Sequence, residues 1–131
     1  MLFRSPVASE ALQQIVFRRV LSTEFTRALA DPTITAWVAA NDDVAVPALE
    51  FLRERGVNVP QQISVVGFDD SVNALANQLT SYNINLPAIL SASLRHILRT
   101  APRQTATRAK IVRIDGTAVE RAATGPARRR K

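Results

Sequence analysis

The order of elements along the chain predicts an α/β fold, a parallel sheet with flanking helices. Three observations lead there. Two apolar runs of strand length, "TAWVAA" at 35–40 and "QISVVGF" at 62–68, read as buried strands, the first of them on both faces. Between them Val44, Ala45, Ala48, Leu49 and Leu52 form one helical stripe, and Gly56 is a good stop for it. Each apolar run ends abruptly in polar side chains, Asn41-Asp42-Asp43 and Asp69-Asp70. Strand and helix therefore alternate from 33 to 86, the pattern of right-handed βαβ units.

The remaining elements follow in order. Residues 10–30 read as a helix, with Leu12, Ile15, Val16, Val20, Leu21, Phe25, Ala28 and Leu29 at helical spacing. Ser5-Pro6 can begin it and Asp31-Pro32 ends it, because the residue before a proline avoids helical dihedrals. Pro47 sits awkwardly in the second helix, where it removes a hydrogen bond unless it lies near the first turn. "SVNALANQ" is a short helix. "LTSYNIN" at 79–85 alternates, with Leu79, Ser81, Asn83 and Asn85 on one side and Thr80, Tyr82 and Ile84 on the other. Pro87 opens a helix to about Arg99. "KIVRI" and "TAVERAA" are strand candidates around Asp115-Gly116, a two-residue hairpin signal.

A chain of 131 residues with 47% apolar side chains can build one domain with a core. It has no cysteine, hence no disulfide or thiolate metal site, and no apolar stretch near the roughly 20 residues of a membrane span. The first residues lack the regions of a signal peptide, so a cytoplasmic location is expected, with no membrane partner. Charge is unevenly spread. Residues 1–94 carry six basic and nine acidic side chains, a net of −3; residues 95–131 carry eleven basic and two acidic, a net of +9. No aromatic side chain interleaves with the terminal arginines to stack on bases, so residues 127–131 read as a solvated, disordered basic tail. Arg95 and Arg99, four apart, share one helix face with the sole histidine, His96, nearby as a surface residue.

The two polar clusters carry the chemistry. In an open α/β sheet, ligands bind beyond the carboxyl ends of the strands, and parallel strands bring both clusters to one edge. Asn and Asp also cap helices well, and each cluster precedes one. Each holds more polar groups than a cap needs, so one member can cap while another projects forward. Asn offers donor and acceptor, Asp accepts several bonds, and together they suit a ligand rich in hydroxyls.

The stretch "TAWVAANDDVAVPALEFLRERGVNVPQQISVVGFDDS", with "LTSYN" and the closing "VERAATGP", resembles the effector-binding domain of lactose/galactose-repressor-type transcription regulators. The resemblance covers about residues 33–126. It implies a periplasmic-binding-protein-like (type I) sensor domain of two lobes with the effector, a sugar or related polyol, clamped between them. Asn41 and Asp69 match family positions that bond effector hydroxyls; Asp42 and Asp70 match helix-capping or hinge positions. Residues 1–126 correspond to part of such a domain, about half of the C-terminal lobe plus the C-terminal crossover, and the helix from Pro87 and the strand at 110–114 would pack on the other lobe. Pro47 and "YNINLPA" depart from the family pattern and leave the effector's identity open. The resemblance implies a regulator that acts by binding, forms a homodimer at full length, and reaches DNA through a helix-turn-helix head absent from this chain.

Two other classes compete. Adjacent strand-end aspartates can hold Mg²⁺ for phosphoryl transfer, but such sites usually need a lysine at another strand end. Lys110 and Lys131 are the only lysines and neither follows a strand–helix junction. With no nucleophile elbow and no phosphate loop, neither an enzyme nor a cofactor is expected. A truncated periplasmic-type sugar-binding protein would share the fold.

Overall fold

The computed structural model describes residues 6–98 and 111–127. Its elements are α1 (Pro6–Ala30), β1 (Ala36–Val38), α2 (Asp42–Glu54), β2 (Ser64–Phe68), α3 (Val72–Ala76), β3 (Thr80–Asn83), α4 (Leu86–Leu98) and β4 (Thr117–Val119). The strands lie in the order β1-β2-β3-β4. The first three are parallel, and β4 runs antiparallel beside β3. Trp37 lies opposite Val65, and Gly67 opposite Ser81. The alternating βαβ order therefore appears as a parallel sheet.

Helix α2 is the organising element. Ala45, Val46, Leu49, Phe51 and Leu52 are buried, packed with Ile63, Val65, Ala74, Leu79 and Ala123. Phe25 of α1 stacks on Trp37 at 5.3 Å and meets Phe51 edge-on at 5.3 Å, which fastens α1 to the β1 side of that core. Pro47 is buried inside α2. It removes a bond to the carbonyl of Asp43, an exposed first-turn residue whose backbone water can serve, so the helix survives. Gly56 closes the helix with φ +68°, a conformation that a side chain would strain.

Two expectations are corrected. β1 and β2 are covered mainly on one face, whereas Thr80 and Ser81 of β3, on opposite faces, are both buried. Val65 and Gly67 are buried toward α2, whereas Val38 is 80% exposed and Phe68 stacks on Tyr82 at 5.3 Å on the open face. An apolar run of strand length does not report how many faces are covered, because Val, Ala and Phe suit either environment. Phe68 accordingly does not turn into the core. Nor do "KIVRI" and "TAVERAA" form a hairpin: residues 111–116 are irregular, Ile111 is 91% exposed, and β4 pairs with β3. Helix α4 buries no residue, and Leu90, Leu94 and Ile97 of its apolar stripe are exposed, in keeping with a helix that the resemblance places against the other lobe. Arg99, Arg103, Arg108, Lys110 and residues 128–131 lie outside the described residues.

Candidate functional site

Parallel pairing brings the two polar clusters to one edge. Val38 lies opposite Val66, and the Ala39 N–H donates to the Val66 carbonyl at 2.9 Å. Asn41 follows Val38 by three residues and Asp69 follows Val66 by three, so both emerge from the carboxyl ends of neighbouring strands.

Their roles divide differently from the sequence expectation. Asn41 is the N-cap of α2: its Oδ1 accepts from the Val44 N–H at 3.0 Å. Its Nδ2 meets no acceptor among the described residues, so the same side chain caps with its oxygen and keeps a donor. Asp42 does not cap. It is 1% exposed, and its two oxygens accept from the Ser81 hydroxyl at 2.6 Å and the Ser71 N–H at 2.7 Å. This carboxylate ties α2 to β3 and to the start of α3. Gly67 makes room for it, since a Cβ there would collide with the Asp42 carboxylate and lie 2.9 Å from Leu79 Cδ2.

Asp70 does not cap α3 either; Ser71 does, accepting from the Ala74 N–H at 3.2 Å. Asp70 instead accepts from Arg121 Nη2 at 2.6 Å and from Asn83 Nδ2 at 2.9 Å. These bonds, the arginine's first and the asparagine's second, hold its carboxyl below the ordinary aspartate range against the opposing effect of burial. Arg121 also donates through Nη1 to the Leu79 carbonyl at 2.7 Å. Asp69 is left over. Its backbone N–H donates to the Tyr82 carbonyl at 2.9 Å, and its carboxylate is exposed with no partner among the described residues.

Ser71, Ser81, Asn83 and Arg121 escaped the sequence reading as parts of this edge. Ser71 was legible, because Ser caps as well as Asp. Ser81 and Asn83 share one side of an alternating strand, a weaker signal. Arg121 lies 51 residues from its carboxylate partner, and no local pattern links the two.

Asp42 and Asp70 have both oxygens engaged by donors, which leaves Asp69 as the open carboxylate after β2; Asp43, in the first turn of α2, is exposed as well. Among the described residues no group of three His, Cys, Asp or Glu side chains could hold a metal ion. Two concave regions, of about 300 Å³ beside Arg53 and Asn77 and about 440 Å³ beside Phe25 and Trp37, include neither Asn41 nor Asp69. With Asp69 exposed, the candidate site is an open polar edge.

The parallel α/β sheet thus presents a donor and an acceptor at adjacent strand ends. The chain belongs to the periplasmic binding protein-like domain family, whose profile matches residues 4–124. Within that family it is a stretch of a LacI/GalR-type regulator sensor domain. It is 61% identical over 36 residues to the HTH-type transcriptional regulator AscG of Escherichia coli (strain K12), covering 28% of this chain and 11% of that protein. Among solved structures, a LacI transcriptional regulator from a Rhodococcus species superposes with a TM-score of 0.61 at 33% identity, covering 79% of this chain and 38% of that one. A sugar-binding transcriptional regulator of the LacI family from Escherichia coli, complexed with phosphate, gives 0.54 at 32% identity, covering 70% and 34%. The chain spans less than a third of the length of the curated relatives it matches. Those relatives are transcription regulators.

Proposed function

We propose that this chain is an effector-binding part of a carbohydrate-responsive transcription regulator. The observation that carries the reading is the pairing of Asn41 Nδ2 and the Asp69 carboxylate on adjacent parallel strand ends, one a donor and the other an acceptor, in a LacI/GalR-type sensor fold. A neutral polyol presents hydroxyls that satisfy both. A solved structural relative that is described as a sugar-binding regulator supports the same ligand class. The effector favours one arrangement of two lobes, and that shift of population changes how a helix-turn-helix head, carried by another part of the regulator, meets DNA. The regulator works as a homodimer in the cytoplasm, without catalysis or cofactor.

The test uses a full-length regulator with both lobes, titrated by calorimetry with D-glucose, D-galactose, L-arabinose and sucrose. One sugar binds and shifts operator affinity. Asp69→Ala loses roughly tenfold or more in affinity, the worth of a charged hydrogen bond. Sugar binding that is indifferent to Asp69→Ala and Asn41→Ala would overturn the assignment.

A further inference from the structure

Asp69 and Asp70 have φ values of 104° and 54°, two consecutive left-handed residues that are not glycine. Side chains disfavour such backbone, so surrounding groups must hold it. Each amide of this turn has a fixed acceptor: Tyr82 O for Asp69, Ser81 Oγ at 3.0 Å for Asp70 and Asp42 Oδ2 for Ser71. From the other side, the Arg121 guanidinium bridges Asp70 Oδ1 and the Leu79 carbonyl. The arginine is itself fixed, because its backbone N–H donates to Thr80 Oγ1 at 3.0 Å and Thr80 Oγ1 lies 2.9 Å from Thr124 Oγ1. The only side chain of the turn left pointing outward unengaged is that of Asp69.

We propose that Arg121 is a positioning residue for the ligand edge: by gripping Asp70 it holds the left-handed turn and so sets where the Asp69 carboxylate lies. The inference deepens the reading of Asp69 as an effector contact and rests on it. Arg121 touches no ligand. It acts through Asp70, and the closing segment thereby becomes part of the site without lining it. A lysine replaces this fork poorly, since its compact ammonium lacks the two separate nitrogens of the planar guanidinium that meet Asp70 and Leu79.

Two measurements separate this role from general support. In the 131-residue chain, amide hydrogen exchange is followed by NMR in the parent, Arg121→Lys and Asp70→Asn. Asp70→Asn keeps the shape of the carboxylate and guards against a variant that fails to fold. Exchange at Asp69, Asp70 and Ser71 speeds up by roughly tenfold or more in both variants, as expected for loss of a charge-assisted bond, while the α2 amides of Leu49 and Leu52 keep their parent rates. In the full-length regulator, the same substitutions weaken binding of whichever of the four sugars the parent takes, measured at a temperature where each variant remains folded. Equal acceleration throughout the core, or none at the turn, overturns the positioning role and leaves the sugar reading intact. Local acceleration with no sugar bound by the parent overturns the sugar reading alone. Undiminished sugar affinity in both variants overturns the proposal even if exchange quickens.

Discussion

Both oxygens of Asp70 accept hydrogen bonds and the Asp69 carboxylate meets none among the described residues, so alanine at these adjacent positions should read in opposite ways. Asp69→Ala is expected to leave the melting temperature nearly unchanged and to weaken effector binding. Asp70→Ala strands Arg121, which is 12% exposed, and should cost about 2 kcal/mol of stability by chemical denaturation, the order expected when one partner of a largely buried, hydrogen-bonded charge pair is removed. The same bridge sets a pH dependence. Arg121, with Asn83, lowers the Asp70 pKa in the folded state, so the stabilisation is complete above the ordinary aspartate value of about 4 and disappears as pH falls through the lower folded value. The difference in melting temperature between the parent and Asp70→Asn should therefore narrow below about pH 4. Asn41 tests a shared role. Asn41→Ser keeps the cap of α2 and removes the Nδ2 donor, and should lose affinity with stability within about 0.5 kcal/mol of the parent, whereas Asn41→Ala should lose affinity and about 1 kcal/mol of stability together.

At the scale of elements, α2 and α4 have similar lengths and opposite fates. Leu49 is 1% exposed, and Leu49→Ala should cost about 2–5 kcal/mol in denaturant unfolding. Leu90 and Leu94 touch no core, so Leu90→Glu with Leu94→Glu should change unfolding by less than about 1 kcal/mol while reducing any self-association seen in sedimentation. The stripe of α2 and the stripe of α4 look alike in sequence, because periodicity reports that a helix has an apolar side and not whether anything covers it. The same limit explains the strands. "QISVVGF" marked β2 and its carboxyl end correctly, since a strand-length apolar run cut off by acids leaves few alternatives. It did not show which face was covered. The Asp115-Gly116 signal failed for a related reason: turn propensity is local, whereas β4 is claimed by β3, more than thirty residues away. At the candidate edge, Asn41 and Asp69 were legible because strand ends place them. The division of labour between Asp70 and Ser71 was not, because it depends on Arg121.

The whole molecule is electrically lopsided, with its net positive charge concentrated after residue 94. The chain alone should therefore show weak attraction to any duplex that fades as salt rises, equal for an operator and its scramble in a filter or anisotropy assay, since neutralising phosphates carries no sequence information. The closing segment has another consequence. Val65 N–H donates to the Ala123 carbonyl at 2.8 Å, and Arg121 reaches Asp70 and Leu79, so residues near the end of the chain fasten its middle strands. On the ribosome, β1, β2 and β3 emerge before the residues that secure them. The nascent chain must hold an unfinished sheet, with the edge of β3 bare, until Arg121 and Ala123 have cleared the exit tunnel. A stop codon at position 117 would remove β4, Arg121 and Ala123. The released product would lack β4, the grip on Asp70 and the cover over Val65, and the quality-control proteases of the cell would meet it as a chain that never finished folding.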